Sequence, residues 1–180
     1  MINVVWFKRD LRVHNNEALV KATKTGRVLP LYIYEPSLWR QEEMSSRQHA
    51  FLKVSLEELN SALLELGCRL IIKNGNAIDI LRDLHLRYGI SQVYSHQETW
   101  NGWTYKRDVK VARWLRSEGI KWIEVNQNGV IRGLKDRNGW AKKWQAQMAA
   151  PLFLAPKKIE AFGVPSEKID AHPKSAGENN

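Results

Sequence analysis

A single cysteine, Cys68, occurs in 180 residues, so no internal disulfide can form and a reducing compartment is expected. Long apolar runs are missing too, since none approaches the roughly 18 residues that a membrane-spanning helix needs. The N-terminus enters Ile2-Asn3-Val4-Val5-Trp6 with no basic segment ahead of an apolar core, which argues against a secretory leader. These absences together point to a cytoplasmic protein with no membrane partner. Familiar chemical motifs are lacking as well. There is no G-x-G-x-x-G after the first strand, no G-x-x-x-x-G-K phosphate cradle and no G-x-S-x-G nucleophile turn. The five histidines, His14, His49, His85, His96 and His172, share no metal-ligand spacing with one another or with Cys68. No catalytic residue and no metal ligand is therefore assigned. Cys68, His49 and His85 read as packing or helix-edge residues.

What the chain does contain is positive charge and tryptophan. Lys and Arg number 28 against 19 Asp and Glu, a net charge of +9 and a pI near 9.7. Such a balance raises nucleic acid as a partner through phosphate attraction. Eight tryptophans suit packing against flat surfaces, whether another protein part, a base or a chromophore. A chain of this length can bury a real core without covalent staples.

Short continuous apolar runs recur at Asn3–Phe7, Val28–Tyr34, Leu70–Ile72, Gln92–Tyr94 and Trp122–Val125, the pattern of strands covered on both faces. Helical stretches lie between them. The clearest opens at Ser45 with Gln48 as capping-box partner, carries Leu52, Leu56, Leu59, Leu63 and Leu66 on one stripe, and closes at Gly67. Others run from Glu17 to Gly26, Asn76 to Gly89 and Tyr105 to Gly119. This β-α alternation predicts an α/β fold, a doubly wound five-stranded parallel sheet of Rossmann-like type with helices on both faces. The domain is expected over residues 1–148, including a helix from Trp140 to Met148. Residues 149–180, with prolines at 151, 156, 165 and 173, read as a linker and a disordered tail.

Open α/β sheets take ligands at the carboxyl ends of their strands. The segments leaving those ends are Phe7-Lys8-Arg9-Asp10-Leu11-Arg12, Tyr34-Glu35-Pro36 and Ser95-His96-Gln97-Glu98, with Arg47 near the same rim. An Arg beside a helix start suits an anionic or oxygen-rich ligand. Asp10 and Arg12 fit equally well as loop residues that pair with each other, with Arg9 and with Glu35.

The string Val5-Trp6-Phe7-Lys8-Arg9-Asp10-Leu11-Arg12-Val13-His14-Asn15-Asn16-Glu17-Ala18-Leu19 closely resembles the opening of the photolyase/cryptochrome family, W-F-R-x-D-L-R-x-x-D-N-x-A-L. Leu31–Pro36, Arg47 with Phe51-Leu52 and Ser55-Leu56, Gly75-Asn76, and Val93-Tyr94 through Arg107-Asp108 extend the resemblance to about residue 125. Asn15 stands where the family has Asp, and a one-residue insertion within 96–105 brings Trp100 and Trp103.

The resemblance implies an N-terminal domain that holds a light-harvesting antenna chromophore: a folate, a deazaflavin or a flavin. A separate helical domain, expected to be absent from this chain, would hold FAD and most of the DNA surface. In deazaflavin-type members an Arg early in the second helix and an acidic residue past the fourth strand contact the chromophore, and Arg47 and Glu98 match them. Folate-type members carry Asn-Glu where this chain has Trp103-Thr104, which favours deazaflavin or flavin. The implied binding residues are Lys8, Arg9, Tyr34, Glu35, Arg47 and Glu98. The implied full-length activity is blue-light repair of pyrimidine dimers in DNA by electron transfer from FAD, in which this fragment alone is not catalytic. A signalling cryptochrome without repair activity, or a stand-alone small-molecule or interaction module, are the alternatives.

Two basic clusters accompany this pattern: Lys106, Arg107, Lys110, Arg113, Arg116 and Lys121, then Arg132, Lys135, Arg137, Lys142 and Lys143, with Trp140 and Trp144 interleaved. Without a nucleic-acid motif beside them they read as solvated helix faces plus a surface for the absent domain. DNA binding by this fragment is expected to be weak or nil. An exposed apolar, Trp-rich docking patch is expected near Trp140–Phe153.

Overall fold

The computed structural model describes residues 1–130, 132, 136–169 and 171–172. Five strands, β1 (Ile2–Phe7), β2 (Arg27–Tyr34), β3 (Ile71–Asn74), β4 (Ile90–His96) and β5 (Lys121–Val125), form one parallel sheet in the order β3-β2-β1-β4-β5. The helices are α1 (Glu17–Thr23), α2 (Pro36–Trp39), α3 (Ser46–Glu65), α4 (Ala77–Tyr88), α5 (Gly102–Ser117) and α6 (Trp140–Met148). The doubly wound architecture expected from the apolar rhythm is therefore present.

Alternation along β1 divides the core into two layers. Val5 and Phe7 face α1 and α3, where Leu19, Leu56, Leu59 and Leu63 cover them. Val4 and Trp6 face α4 and α5, meeting Leu81, Leu84, Val111 and Leu115. Helix α3 starts at the Ser45–Gln48 capping box and buries the expected stripe through Leu63. Helix α4 is capped by Asn76 and ends at Gly89, whose φ of +69° places it in the left-handed region that a side chain disfavours.

Two elements differ from the sequence reading. Helix α5 begins at Gly102, three residues early, because Asn101 and Thr104 form a capping box that the apolar periodicity does not show. The single-turn α2 follows directly from Pro36, whose fixed φ suits a first helical position.

Beyond α6, residues 158–169 run along the outer edge of β2 and β3. Val28 points its N–H and C=O outward, to the Glu160 carbonyl and the Phe162 N–H. Pro30, two residues on, faces the same side, so its missing donor falls where no strand partner needs it. Farther along, the Glu167 N–H donates to the Ile72 carbonyl, and the Asn74 N–H donates to the Glu167 carboxylate at 2.9 Å. This part of the expected linker is thus hydrogen-bonded to the sheet. Residues 173–180, the end of the segment read as linker and disordered tail, lie outside the described residues, as does Lys135. Helix α6 buries none of its residues, and Trp144, Met148, Leu152 and Leu154 are exposed.

Candidate functional site

Strand order reverses between β1 and β4, and the carboxyl ends of β1, β2 and β4 open there into a cavity of about 220 Å³. Trp6, Phe7 and Tyr32 form its inner end, Trp39 and the α3 residues Gln48, Phe51, Leu52 and Ser55 one wall, and Arg9, Glu98 and Trp100 the other. Six aromatic rings share this lining with five aliphatic or methionine side chains. The Arg9 guanidinium lies 4.9 Å from the centre of the Trp100 ring and 3.6 Å from the Glu98 carboxylate. A flat side chain and a charge pair thus share the mouth.

Below the cavity lies a buried ionic network. The Lys8 ammonium donates to Asp108 at 3.1 Å and sits over the Trp6 and Trp122 rings, at 5.0 and 5.4 Å from their centres. Arg107 donates to Glu35 at 2.7 Å and to Asp108 at 2.9 Å. Burial pushes the Glu35 carboxyl above its ordinary value, although Arg107 and the Ala77 N–H pull it down. Burial works against the Arg107 charge, but Glu35 and Asp108 more than offset it and hold the guanidinium charged. The Tyr32 hydroxyl is raised by burial and then by the Glu35 charge. The network joins β1, β2 and α5 at the point where the sheet splits, so it fixes the separation of the two cavity walls.

Of the six residues singled out from sequence, Lys8, Arg9, Glu35 and Glu98 line the cavity. Tyr34 and Arg47 do not. Tyr34 is fully buried and stacks behind Trp39, ring centres 5.7 Å apart, while Trp39 itself reaches the cavity. Arg47 falls off the Gln48–Phe51–Leu52–Ser55 stripe of α3 and is exposed, because the helical period turns its position to solvent. Trp103 also lies apart, on a separate recess with Ser37, Lys106 and Lys110.

The pairing among Asp10, Arg12, Arg9 and Glu35 expected from their proximity is not what forms. Asp10 pairs with His96, Glu35 with Arg107, and Arg12 donates to the Asn15 carbonyl. Nor is Arg107 part of a solvated basic face, since it is buried in the network. Arg132 likewise binds Glu124 and the Glu98 carbonyl. Sequence reasoning did not assign Trp39, Gln48, Phe51 or Arg107 to the site. The Arg107-Asp108 pair was visible as a motif. Its partner Glu35, 72 positions away, was not.

A family model described as DNA photolyase matches residues 3–136. The deoxyribodipyrimidine photo-lyase of Salmonella typhimurium is 35% identical over 174 residues, which cover 86% of this chain and 36% of that protein. Cryptochrome DASH of Arabidopsis thaliana is 31% identical over 127 residues, covering 67% of this chain and 21% of the relative. The crystal structure of a bacterial class III photolyase from Agrobacterium tumefaciens superposes with a TM-score of 0.73 at 28% identity, over 92% of this chain and 36% of that one. The chain thus spans little more than a third of the photolyases it matches.

Proposed function

Because the chain belongs to the DNA photolyase family, we propose that it is the antenna half of a photolyase-like flavoprotein and holds a light-harvesting chromophore in the cavity between β1 and β4. Members of this family bind flavin or other chromophores and act on DNA. The observation that carries the reading is the aromatic slot at the switch point, closed on one side by Trp100 and Arg9 and on the other by Phe51 and Leu52. Flat, weakly polar ring systems fit such a lining, with a few charged groups at one end to orient them.

The residues present fit a deazaflavin or flavin ring. A volume of about 220 Å³ lies below the ~300 Å³ at which pockets begin to enclose a drug-sized ligand, so a side chain on the ring would lie at the mouth. Glu98 and Arg9 would bind the polar edge, while Trp39, Phe51 and Trp100 would cover the faces. The bound group would supply visible-light absorption, and the protein would supply position and orientation. Folate is disfavoured because Thr104 and Trp103 stand where an Asn-Glu pair would be needed, and Trp103 lines a different recess. Repair of pyrimidine dimers would belong to a longer protein carrying FAD. The exposed Trp140, Trp144, Leu152 and Leu154 surface is the natural place for such a domain to dock.

The test is an absorption and emission spectrum of the purified chain, with mass analysis of anything released on denaturation. A stoichiometric flavin or deazaflavin supports the reading. A colourless protein that binds none of the three candidates when they are added refutes it.

A further inference from the structure

A second cavity, of about 550 Å³, opens beside the β1–α1 loop. It is bounded by Arg12 of that loop and Glu17 of α1, Asn126 and Gln127 after β5, and residues 147, 148 and 150–153 at and beyond the end of α6. Its two sides are joined through Asn15, which holds a left-handed φ of +49°. The Asn15 N–H donates to the Phe153 carbonyl, and its side-chain oxygen accepts the Phe153 N–H. A non-glycine residue in that conformation stores strain, and here it fixes one wall of the cavity.

His96 also lines this cavity, although it is 97% buried as a side chain by its 3% exposure. Its Nδ1 lies 2.5 Å from the Asp10 carboxylate, which also accepts the Lys8 N–H at 3.0 Å. Burial alone would raise the Asp10 carboxyl, but the His96 contact and the backbone N–H outweigh it and hold it below its ordinary value. The carboxylate accepts a hydrogen bond from Nδ1–H, and in the tautomer that this pairing selects the ring's lone pair lies at Nε2. No hydrogen bond to Nε2 forms among the described residues. An imidazole oriented by a carboxylate thus turns its outer nitrogen to a polar cavity, where a donor from outside the chain can reach it.

We propose that this cavity binds a pyrimidine-2,4-dione ring, whose imide N–H donates to His96 Nε2 while its flanking carbonyls accept from Arg12 and the side-chain amides of Asn126 and Gln127. Arg12, Asn126 and Gln127 supply donors around this acceptor, the complement of an N–H between two carbonyls, while the one carboxylate on the lining, Glu17, is paired with Lys21 at 2.7 Å. Met148, Leu152 and Phe153 give the ring an apolar wall. No group of three or more His, Cys, Asp or Glu residues able to hold a metal ion occurs among the described residues. The proposal stands apart from the antenna reading, because His96 does not line the first cavity.

A pyrimidine-dione edge belongs both to uracil or thymine nucleosides and to flavins, so the test carries both. The 180-residue chain is titrated with uridine, riboflavin and their N3-methylated analogues while the His96 ring nitrogens are followed by NMR. Uridine or riboflavin is expected to shift Nε2, and the one that does names the source. N3-methylation, which removes the donor, is expected to weaken binding at least about tenfold, as for loss of a hydrogen bond to a buried partner. Gln127→Ala, at an exposed position, is expected to weaken it severalfold with the circular dichroism unchanged. No Nε2 shift with either ligand at millimolar concentration overturns the proposal, as does equal binding of the N3-methyl forms.

Discussion

Replacing Arg107 with Met tests the ionic network that holds the cavity walls apart. Arg107 and Glu35 are 9% and 2% exposed as side chains and 2.7 Å apart, so theirs is a desolvated pair, unlike surface pairs that contribute about 1 kcal/mol or less. Removing one partner of a buried pair costs about 3–5 kcal/mol, because the other charge is stranded. Asp108 would keep Lys8 at 3.1 Å and Arg132 at 3.6 Å, so only Glu35 is orphaned and the lower end, about 3 kcal/mol, is expected. The pH dependence follows from the same groups. Burial already raises the Glu35 carboxyl, and loss of Arg107 raises it further. A carboxyl whose folded pKa exceeds its unfolded one favours folding when protonated, and that contribution is lost as pH rises through the folded pKa. Urea unfolding followed by tryptophan emission should therefore show the Arg107→Met deficit at neutral pH and its narrowing as pH falls. Glu35→Gln in the same background should recover part of the loss, giving a coupling of about 1 kcal/mol or more. A deficit under about 1 kcal/mol with no pH dependence and no coupling would refute the network's role.

Leu63, fully buried between α3 and the sheet, should cost about 2–5 kcal/mol on replacement by Ala, read as a lower urea midpoint with an unchanged slope. The Cys68 thiol, pushed up to about 11 by burial, should react with a thiol reagent at pH 8 about two orders of magnitude more slowly than in the urea-unfolded chain. Partial burial works against the Glu167 carboxylate, but Lys73 and Asn74 bind it and hold it below its ordinary value. Its contribution is present above the unfolded pKa and lost as pH falls through the folded one, so Asn74 amide protection should drop in acid, and at neutral pH in Glu167→Gln.

The fold was readable because the central strands β1 and β2 are buried on both faces and so appear as near-continuous apolar runs. The long helix announced both of its ends, at Ser45 and Gly67. What periodicity hides is capping by small polar residues, hence the early start of α5 at Asn101. In the candidate site, residues on the loops leaving the strands were legible, and Lys8, Arg9, Glu35 and Glu98 do meet at one cavity. Arg47 and Tyr34 show the limit. One helical step or one layer of packing decides whether a side chain reaches a cavity, and neither is written in local sequence. Long-range partners are the other blind spot. Asp10 finds His96 at a separation of 86 residues and Glu35 finds Arg107 at 72, choices set by which strands lie side by side in the sheet.

The antenna reading is tested most directly by titrating riboflavin and a deazaflavin into the chain and into its Ser55→Trp variant, which fills the cavity from its α3 wall. Quenching and polarisation of the chromophore's emission should saturate at one equivalent for the unaltered chain. The variant should bind at least about tenfold more weakly with its circular dichroism unchanged, since a filled slot forfeits the ring contacts. Equal binding by the two proteins would place the chromophore elsewhere, and no binding by either would contradict the antenna role of this cavity.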